Sequence, residues 1–158
     1  MTLPRSAADV LAGHVLFEIE AIDRMYLNLY QPRLQHGAGI AAFFVNPVLD
    51  APALAAVEAA ARARSGPQAR VPHFEVARSG DGLAKVPAAW LIEQAGFGKG
   101  YNPGDGARIS AKHTLALVNA GPASTAALLA LAREIRDGVR DAFGVSLAPE
   151  PVLVGVTL

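Results

Sequence analysis

The sequence contains no cysteine, few aromatic residues and no excess of charge of either sign. Without thiols, the chain has no disulfide, no thiolate nucleophile and no cysteine-ligated metal or iron–sulfur site. The 14 basic and 14 acidic residues give a formal net charge of zero, with no run of Lys and Arg. Because nucleic acids and acidic membranes attract basic surfaces, neither is an expected partner. The absence of thiols fits a reducing compartment, and we expect a cytoplasmic protein.

Long apolar runs and targeting signals are also missing. No apolar stretch approaches the roughly 18 residues that a transmembrane helix needs. The first residues, MTLPRSAADV, do not combine a basic region with an apolar one, so we predict no signal peptide. Hydrophobic residues nevertheless make up 52% of the 158 positions. That is enough apolar material for one folded domain with a core.

Capping residues and apolar spacing predict two long helices. Asp50, with Pro52 in the first turn, begins a helix that runs to about Arg64. Ser124 begins the longest helix, and Gly144 ends it. The apolar residues of this second helix recur every three or four positions and form one stripe: Leu128, Leu131, Ile135, Val139 and Phe143. A stripe of this kind needs a sheet or helix to bury against.

Shorter elements lie between these helices. Pro87 begins a short helix, stopped by Gly96, and we expect its residues Trp90 and Leu91 in the core. The segment Phe43–Leu49 is expected as an edge strand or a strand that ends at Asn46-Pro47. The other predicted strands are Phe74–Ala77, Leu115–Val118 and Val152–Val156. The predicted fold is α+β, with a small mixed or antiparallel sheet and two or three helices packed on one side.

Three features are candidates for chemistry, and each also has a purely structural interpretation. The glycine-rich stretch 96–106 contains Lys99, which either contacts a phosphate or lies in a surface turn, since the dinucleotide fingerprint G-x-G-x-x-G is absent. His113 precedes an apolar strand, as a rim residue or a ligand contact. Glu150 lies between two prolines that hold the backbone extended, so it is either a positioned carboxylate or an exposed turn residue. The four histidines have no metal-ligand spacing, and no metal is expected.

Several segments, in order along residues 42–156, resemble the C-terminal substrate-binding domain of UDP-N-acetylenolpyruvoylglucosamine reductase. They are FFVNPV at 43–48, AAWLIEQAGFGKGY at 88–101, ISAKHTLALVN at 109–119, LALAREIRDGVRDAFGV at 129–145 and PEPVLVG at 149–155. The resemblance implies an oxidoreductase family of peptidoglycan synthesis and cell-wall biogenesis. Full-length members use NADPH and FAD to reduce an enolpyruvyl UDP-sugar to UDP-N-acetylmuramate. It also implies that residues 42–158 form the substrate-binding domain.

The resemblance assigns roles to individual positions. Glu150 matches the family's catalytic glutamate, which helps to stabilise the enol intermediate. Asn46 matches an asparagine that contacts the UDP portion, and His113 matches a polar position beside the substrate. The family's catalytic serine, a proton donor, falls on Ala42, so the donor is replaced by a methyl group.

Residues 1–41 are expected not to belong to the reductase family, because residues 1–44 resemble the start of a different bacterial family of unknown role. They contain no flavin motif, so this chain is expected to bind neither FAD nor NADPH and to be inactive alone. The alternatives are a non-catalytic UDP-sugar-binding module and a folded gene-fusion remnant without function. We also expect self-association through residues 1–40, because apolar side chains there should be partly exposed. Those side chains are Phe17, Met25, Tyr26 and Leu29.

Overall fold

A computed structural model describes residues 39–40, 42–76, 82–104, 106–119, 123–153 and 155–158 of the chain. The elements, in chain order, are β1 (Gly39–Ile40), β2 (Val48–Leu49), α1 (Ala51–Ser65), β3 (Phe74–Glu75), β4 (Ala84–Lys85), α2 (Ala88–Gln94), β5 (Ala107–Ile109), β6 (Leu117–Asn119) and α3 (Thr125–Phe143). Within these ranges, no helix has the length and apolar character to cross a bilayer. The expectations for Phe17, Met25, Tyr26 and Leu29 concern positions outside the described residues.

The strands form two small antiparallel sheets. In the first sheet, of order β1-β6-β5, Val118 pairs with Gly39 on one side and Arg108 on the other. In the second sheet, of order β2-β4-β3, Lys85 lies between Val48 and Phe74. The α+β class is therefore confirmed. The strands, each two or three residues long, divide into two sheets of three, where the sequence predicted a single small sheet.

The ends of α1 and α3 lie at the predicted caps. The Asp50 carboxylate accepts a hydrogen bond from the Ala53 N–H at 2.8 Å, which satisfies one of the free amides of the first turn of α1. Ser124 accepts from the Ala127 N–H at 3.2 Å and caps α3 in the same way. Gly144 ends α3 in the left-handed conformation, with φ of 70°.

The apolar stripe of α3 forms the centre of the core, as predicted. Each of its five residues is at most 7% exposed, and Ile135 and Val139 are fully buried. The helix packs on β5 and β6 of the first sheet and on both other helices. Leu91 of α2 is fully buried, and the ring of Trp90 packs 5.8 Å from the ring of Phe143. Both residues therefore join the core, as the sequence predicted.

The predicted strand Val152–Val156 was wrong. The described residues from 151 to 153 and from 155 to 158 form no strand. The chain pairs only just before them, in a single antiparallel bridge between Phe44 and Pro149. Val152 is 77% exposed, and Gly155 has φ of 72°, which interrupts an extended run. Pro151 also lacks the N–H that a ladder would need.

Other strand boundaries differ from the prediction by a few residues. The strand predicted at Leu115–Val118 begins two residues later, because Leu115 and Ala116 belong to a turn bonded to His113. The strand predicted at Phe74–Ala77 covers Phe74–Glu75, and Ala77 lies outside the described residues. Of the segment predicted as a strand at Phe43–Leu49, strand β2 covers only Val48–Leu49, at the edge of the second sheet. Strands β1, β4 and β5 were not predicted, because two or three residues are too few to show a period.

Candidate functional site

Three separate segments meet at the backbone of Phe43. The Phe43 N–H donates a hydrogen bond to the Leu115 carbonyl at 3.0 Å, and the Phe43 carbonyl accepts one from the Glu150 N–H at 2.9 Å. We call this arrangement the Phe43 junction: segment 42–46, the β5–β6 loop 110–116 and segment 148–150. The Phe43 side chain is fully buried and anchors the junction in the core. The junction thus links the neighbourhoods of Ala42, His113 and Glu150.

The bridge between Phe44 and Pro149 explains why a proline is accepted at the junction. The Val45 N–H donates to the Ala148 carbonyl at 3.0 Å, and the Glu150 N–H donates to Phe43. These two bonds lie on either side of Phe44 and Pro149. Phe44 and Pro149 are thus a non-hydrogen-bonded antiparallel pair, with no hydrogen bond between them. A residue in such a position points its backbone nitrogen away from the partner, so proline costs no ladder bond. The prolines on both sides of Glu150 are therefore compatible with a fixed backbone at this glutamate.

The two positions tied to Phe43 differ in exposure. Ala42, the residue before Phe43, is half-buried, so a side chain there is only partly shielded from solvent. Glu150 is exposed, and its backbone is held by Phe43 while its carboxylate faces solvent. A carboxylate on a fixed backbone can act on a bound molecule without reordering the chain. The methyl group of Ala42 has no proton to donate.

Asn46 connects the junction to helix α2. Its side-chain oxygen, Oδ1, accepts a hydrogen bond from the Ala88 N–H at 2.8 Å. Ala88 is the first residue of α2, and the preceding residue, Pro87, has no side-chain group that could cap the helix. Asn46 therefore performs the capping role from a distance in sequence. With Oδ1 used in this way, the Nδ2 amide hydrogens are the donors that the half-buried side chain offers to a ligand.

His113 lies exposed in the tight turn of the β5–β6 loop. Its Nδ1 accepts a hydrogen bond from the Leu115 N–H at 3.2 Å, and its carbonyl accepts one from Ala116 at 3.1 Å. With Nδ1 as the acceptor, the neutral ring carries its proton on Nε2. The ring therefore presents an N–H donor on the side away from its own loop. The Lys112 N–H is held by the Ser110 hydroxyl at 3.1 Å.

The glycine-rich stretch is attached to the same loop. The Gly100 N–H donates to the Ser110 carbonyl at 3.3 Å, and the Ile109 N–H donates to the Tyr101 carbonyl at 2.9 Å. Lys99 is exposed next to this attachment. However, the stretch follows the C-terminal end of α2, where the last carbonyl groups already accept hydrogen bonds from the chain, and it leads into β5. A dinucleotide cradle needs the N-terminal amides of a helix, so this glycine-rich stretch does not fit FAD or NADPH.

Sequence reasoning missed a side-chain contact between the loop and α2. The Thr114 hydroxyl donates a hydrogen bond to Glu93 Oε1, and Thr114 is only 2% exposed. It also missed that the Tyr101 hydroxyl donates to Glu134 Oε1 of α3 at 2.5 Å. That hydrogen bond, then burial and the Glu134 charge, raise the pKa of Tyr101. The only signal of either contact in the sequence was polar residues beside His113 and the glycines.

Across the described ranges, no group of side chains could hold a metal ion.

Comparison with known proteins identifies the family. The model of the C-terminal domain of UDP-N-acetylenolpyruvoylglucosamine reductase matches residues 31–154. This match covers most of the chain, including the α+β fold and the Phe43 junction. The chain therefore belongs to the family of this C-terminal domain. The match begins before residue 42, and β1 pairs with β6 inside the domain. The predicted boundary at residue 42 is not settled by these findings and stays a prediction.

Proteins named UDP-N-acetylenolpyruvoylglucosamine reductase are similar to this chain. The protein from Saccharopolyspora erythraea is 58% identical over 117 residues, which cover 73% of this chain and 31% of the relative. The protein from Streptomyces coelicolor is 45% identical over 155 residues, covering 89% of this chain and 39% of the relative. Thermobifida fusca has one that is 52% identical over 116 residues, covering 73% of this chain and 32% of the relative. The chain spans about a third of the length of these curated relatives.

Proposed function

We propose that this chain is the substrate-binding domain of a UDP-N-acetylenolpyruvoylglucosamine reductase and that it binds a UDP-sugar at the Phe43 junction. The observation that carries the proposal is the pair of backbone hydrogen bonds at Phe43, which tie the β5–β6 loop and Glu150 to the same residue. Three positions suggested separately by the family resemblance, Ala42, His113 and Glu150, are thereby linked through one buried residue. Asn46 follows three positions later in the same segment.

The polar groups around the junction suit a nucleotide-sugar. Asn46 Nδ2 and His113 Nε2 are neutral donors for the oxygen atoms of a diphosphate. Lys99 and Lys112, both exposed, add positive charge on the neighbouring loops. The Glu150 carboxylate would repel a phosphate, so we propose that it faces the sugar and its enolpyruvyl group instead. In this orientation, the diphosphate of the bound molecule lies near Asn46 and His113, and its sugar lies near Glu150.

We propose that the isolated chain does not catalyse the reduction. At position 42 a methyl group stands where the family resemblance calls for a proton donor. The glycine-rich stretch also does not fit FAD or NADPH, so we propose that neither group is held there. The loss of the donor at Ala42 favours a second candidate function. In that case the chain is a non-catalytic UDP-sugar-binding module and does not supply catalytic groups to a reductase. The cytoplasmic location, the lack of a nucleic-acid partner and self-association through residues 1–40 stay predictions.

A binding measurement on an Asn46 variant tests the proposal. Asn46→Asp keeps an oxygen that can cap α2 but replaces the amide donors by negative charge. We expect titration calorimetry with UDP-N-acetylenolpyruvoylglucosamine to show binding by the unmodified chain. The variant should bind at least about tenfold more weakly, the cost of losing one hydrogen bond to a charged group. Its thermal midpoint should be unchanged, because the helix cap remains.

Asn102→Asp is the matched control. The Asn102 side chain also accepts a backbone hydrogen bond, from the Gly104 N–H at 2.8 Å, but it lies on the exposed glycine-rich loop. The two variants therefore make the same chemical change in the same kind of backbone contact. Asn102→Asp should leave the affinity within about twofold of the unmodified chain. No binding by the unmodified chain would favour a folded remnant and would rule out both forms of the proposal.

A further inference from the structure

Helix α2 contacts both polar parts of the candidate site. Its first amide, at Ala88, is bonded to Asn46. Near its other end, Glu93 accepts the hydrogen bond from Thr114 in the β5–β6 loop. Because a short helix is a rigid spacer, groups attached to its two ends are held at a fixed separation. Asn46 and the loop that carries His113 are therefore attached to opposite ends of one rigid element.

The Thr114 hydroxyl is unusual in its burial. Thr114 and Ser110 are the buried polar residues among the described part of the chain, and both belong to the β5–β6 loop. Ser110 supports the loop from inside, through the Lys112 N–H. Thr114, by contrast, reaches out of the loop to a different element. Its bond to Glu93 is a side-chain hydrogen bond that joins this loop to α2.

We propose that Thr114 is a positioning residue for UDP-sugar binding: through Glu93 it fixes the loop that carries His113 against α2, at a set distance from Asn46. The inference rests on the proposed function for the ligand, but the fixed loop position is a property of the unliganded chain. Glu93 is exposed, so water replaces the hydroxyl when Thr114 is changed, and the fold survives. The expected loss is therefore in loop position and affinity, with the folded state retained.

Thr114→Val and Thr114→Ser separate positioning from packing. Valine keeps the shape of threonine without the hydroxyl, while serine keeps the hydroxyl without the methyl group. We expect Thr114→Val to weaken binding of UDP-N-acetylenolpyruvoylglucosamine roughly tenfold and Thr114→Ser to weaken it less than about threefold. Thr125→Val, the same change in the first turn of α3, is the matched control and should leave affinity unchanged. Equal losses from the valine and serine variants would overturn the proposal.

A double-variant cycle tests whether Thr114 acts through His113. If it does, Thr114→Val should change affinity by less than about twofold in a chain that already carries His113→Ala. The full tenfold loss in that background would show that Thr114 acts by another route and would overturn the inference.

Nuclear magnetic resonance tests the same inference without a ligand. Its result therefore remains informative about the loop position even when the chain does not bind the UDP-sugar. Thr114→Val and Glu93→Gln should both shift the amide resonances of Lys112 and His113, and the ring nitrogen resonances of His113. Thr125→Val should leave these resonances in place. Unshifted resonances in both test variants would show that the loop position does not depend on the Thr114–Glu93 contact.

Discussion

The Phe43 junction and the packed face of α3 are built in opposite ways. Backbone hydrogen bonds hold the junction, so the side chains of His113 and Glu150 remain exposed. On α3, the side chains themselves form the contact: Phe97 and Tyr101 pack against each other and against the helix, beside Gly138 and Glu134. We call this second region the α3 contact. Its side chains are committed to packing, whereas the exposed side chains of the junction, His113 and Glu150, are available to a ligand.

This difference predicts how substitutions will divide. At the junction, the backbone bonds persist when the side chain at position 42, 113 or 150 changes, so ligand affinity or chemistry should change while stability does not. At the α3 contact, a changed side chain removes or obstructs packing, so stability should change while affinity does not. A variant that altered both properties in either region would break the distinction.

The largest effect is expected at Ala42. We expect Ala42→Ser to restore a proton donor when the chain is fused to the N-terminal part of a full-length relative, which supplies the rest of the reductase. A general acid typically contributes about 10²–10⁴-fold to rate, so turnover should rise by that order. Affinity for the UDP-sugar and the thermal midpoint should change little, because the donor matters mainly in the transition state. Steady-state kinetics of the two fusions measures the effect.

Ala55→Ser is the matched control for that experiment. It adds the same hydroxyl to an exposed position of α1, outside the segments that form the Phe43 junction. It should leave turnover of the fusion unchanged. Glu150→Gln, added to Ala42→Ser, should lower turnover again. If the alanine fusion turned over as fast as the serine fusion, the assignment of position 42 as the donor site would have to be withdrawn.

The next effect is expected at Gly138, where a helix-favouring substitution should destabilise. A Cβ at this position would lie 2.6 Å from Cζ of Phe97 and closer still to Cε2. Alanine gains about 1 kcal/mol in helix propensity over glycine. Displacing the Phe97 ring costs about 1–3 kcal/mol, since the ring also packs on Tyr101 at 5.0 Å. We expect urea denaturation to show a net loss of about 1 kcal/mol for Gly138→Ala, with unchanged UDP-sugar affinity.

The sign of this effect should reverse when the ring is absent. In a chain carrying Phe97→Ala, only the propensity term remains, so Gly138→Ala should stabilise by up to about 1 kcal/mol. Stabilisation by Gly138→Ala in the otherwise unmodified chain would show that Phe97 moves aside without cost. The α3 contact would then be looser than its packing indicates.

The same contrast explains what the sequence could predict. The helices and their caps were predictable, because Asp50, Ser124 and Gly144 act on residues a few positions away, and the stripe of α3 repeats over about four turns. The junction was not predictable from pattern, because its bonds join residues more than 70 positions apart, such as Phe43 and Leu115. Sequence context marked His113 and Glu150 as candidates that also had a structural interpretation, Asn46 was suggested by the resemblance alone, and the Thr114–Glu93 contact was missed. The strand predicted at Val152–Val156 failed because apolar composition alone does not show that Gly155 turns the chain.

The smallest effect is expected at Tyr101, and it depends on pH. Its hydroxyl donates to Glu134, and this bond, with burial and the Glu134 charge, raises the pKa of Tyr101 above its ordinary value of 10.0. An exposed hydrogen bond of this kind contributes about 0.5–1.5 kcal/mol. We expect Tyr101→Phe to lower the free energy of unfolding by about that amount at pH 7, without changing affinity for the UDP-sugar.

The sign of the pH dependence follows from which state loses its proton first. In the unfolded chain Tyr101 ionises near pH 10, whereas the folded chain keeps the proton to higher pH. The stabilisation is therefore fully present below pH 10 and is lost as pH rises through the raised pKa. The stability difference between the unmodified chain and Tyr101→Phe should stay constant from pH 7 to 9 and shrink above pH 10. Glu134→Gln, which removes the charge but keeps an acceptor, should reduce this dependence. A difference that grew above pH 10 in urea denaturation would mean that the phenol does not donate to Glu134.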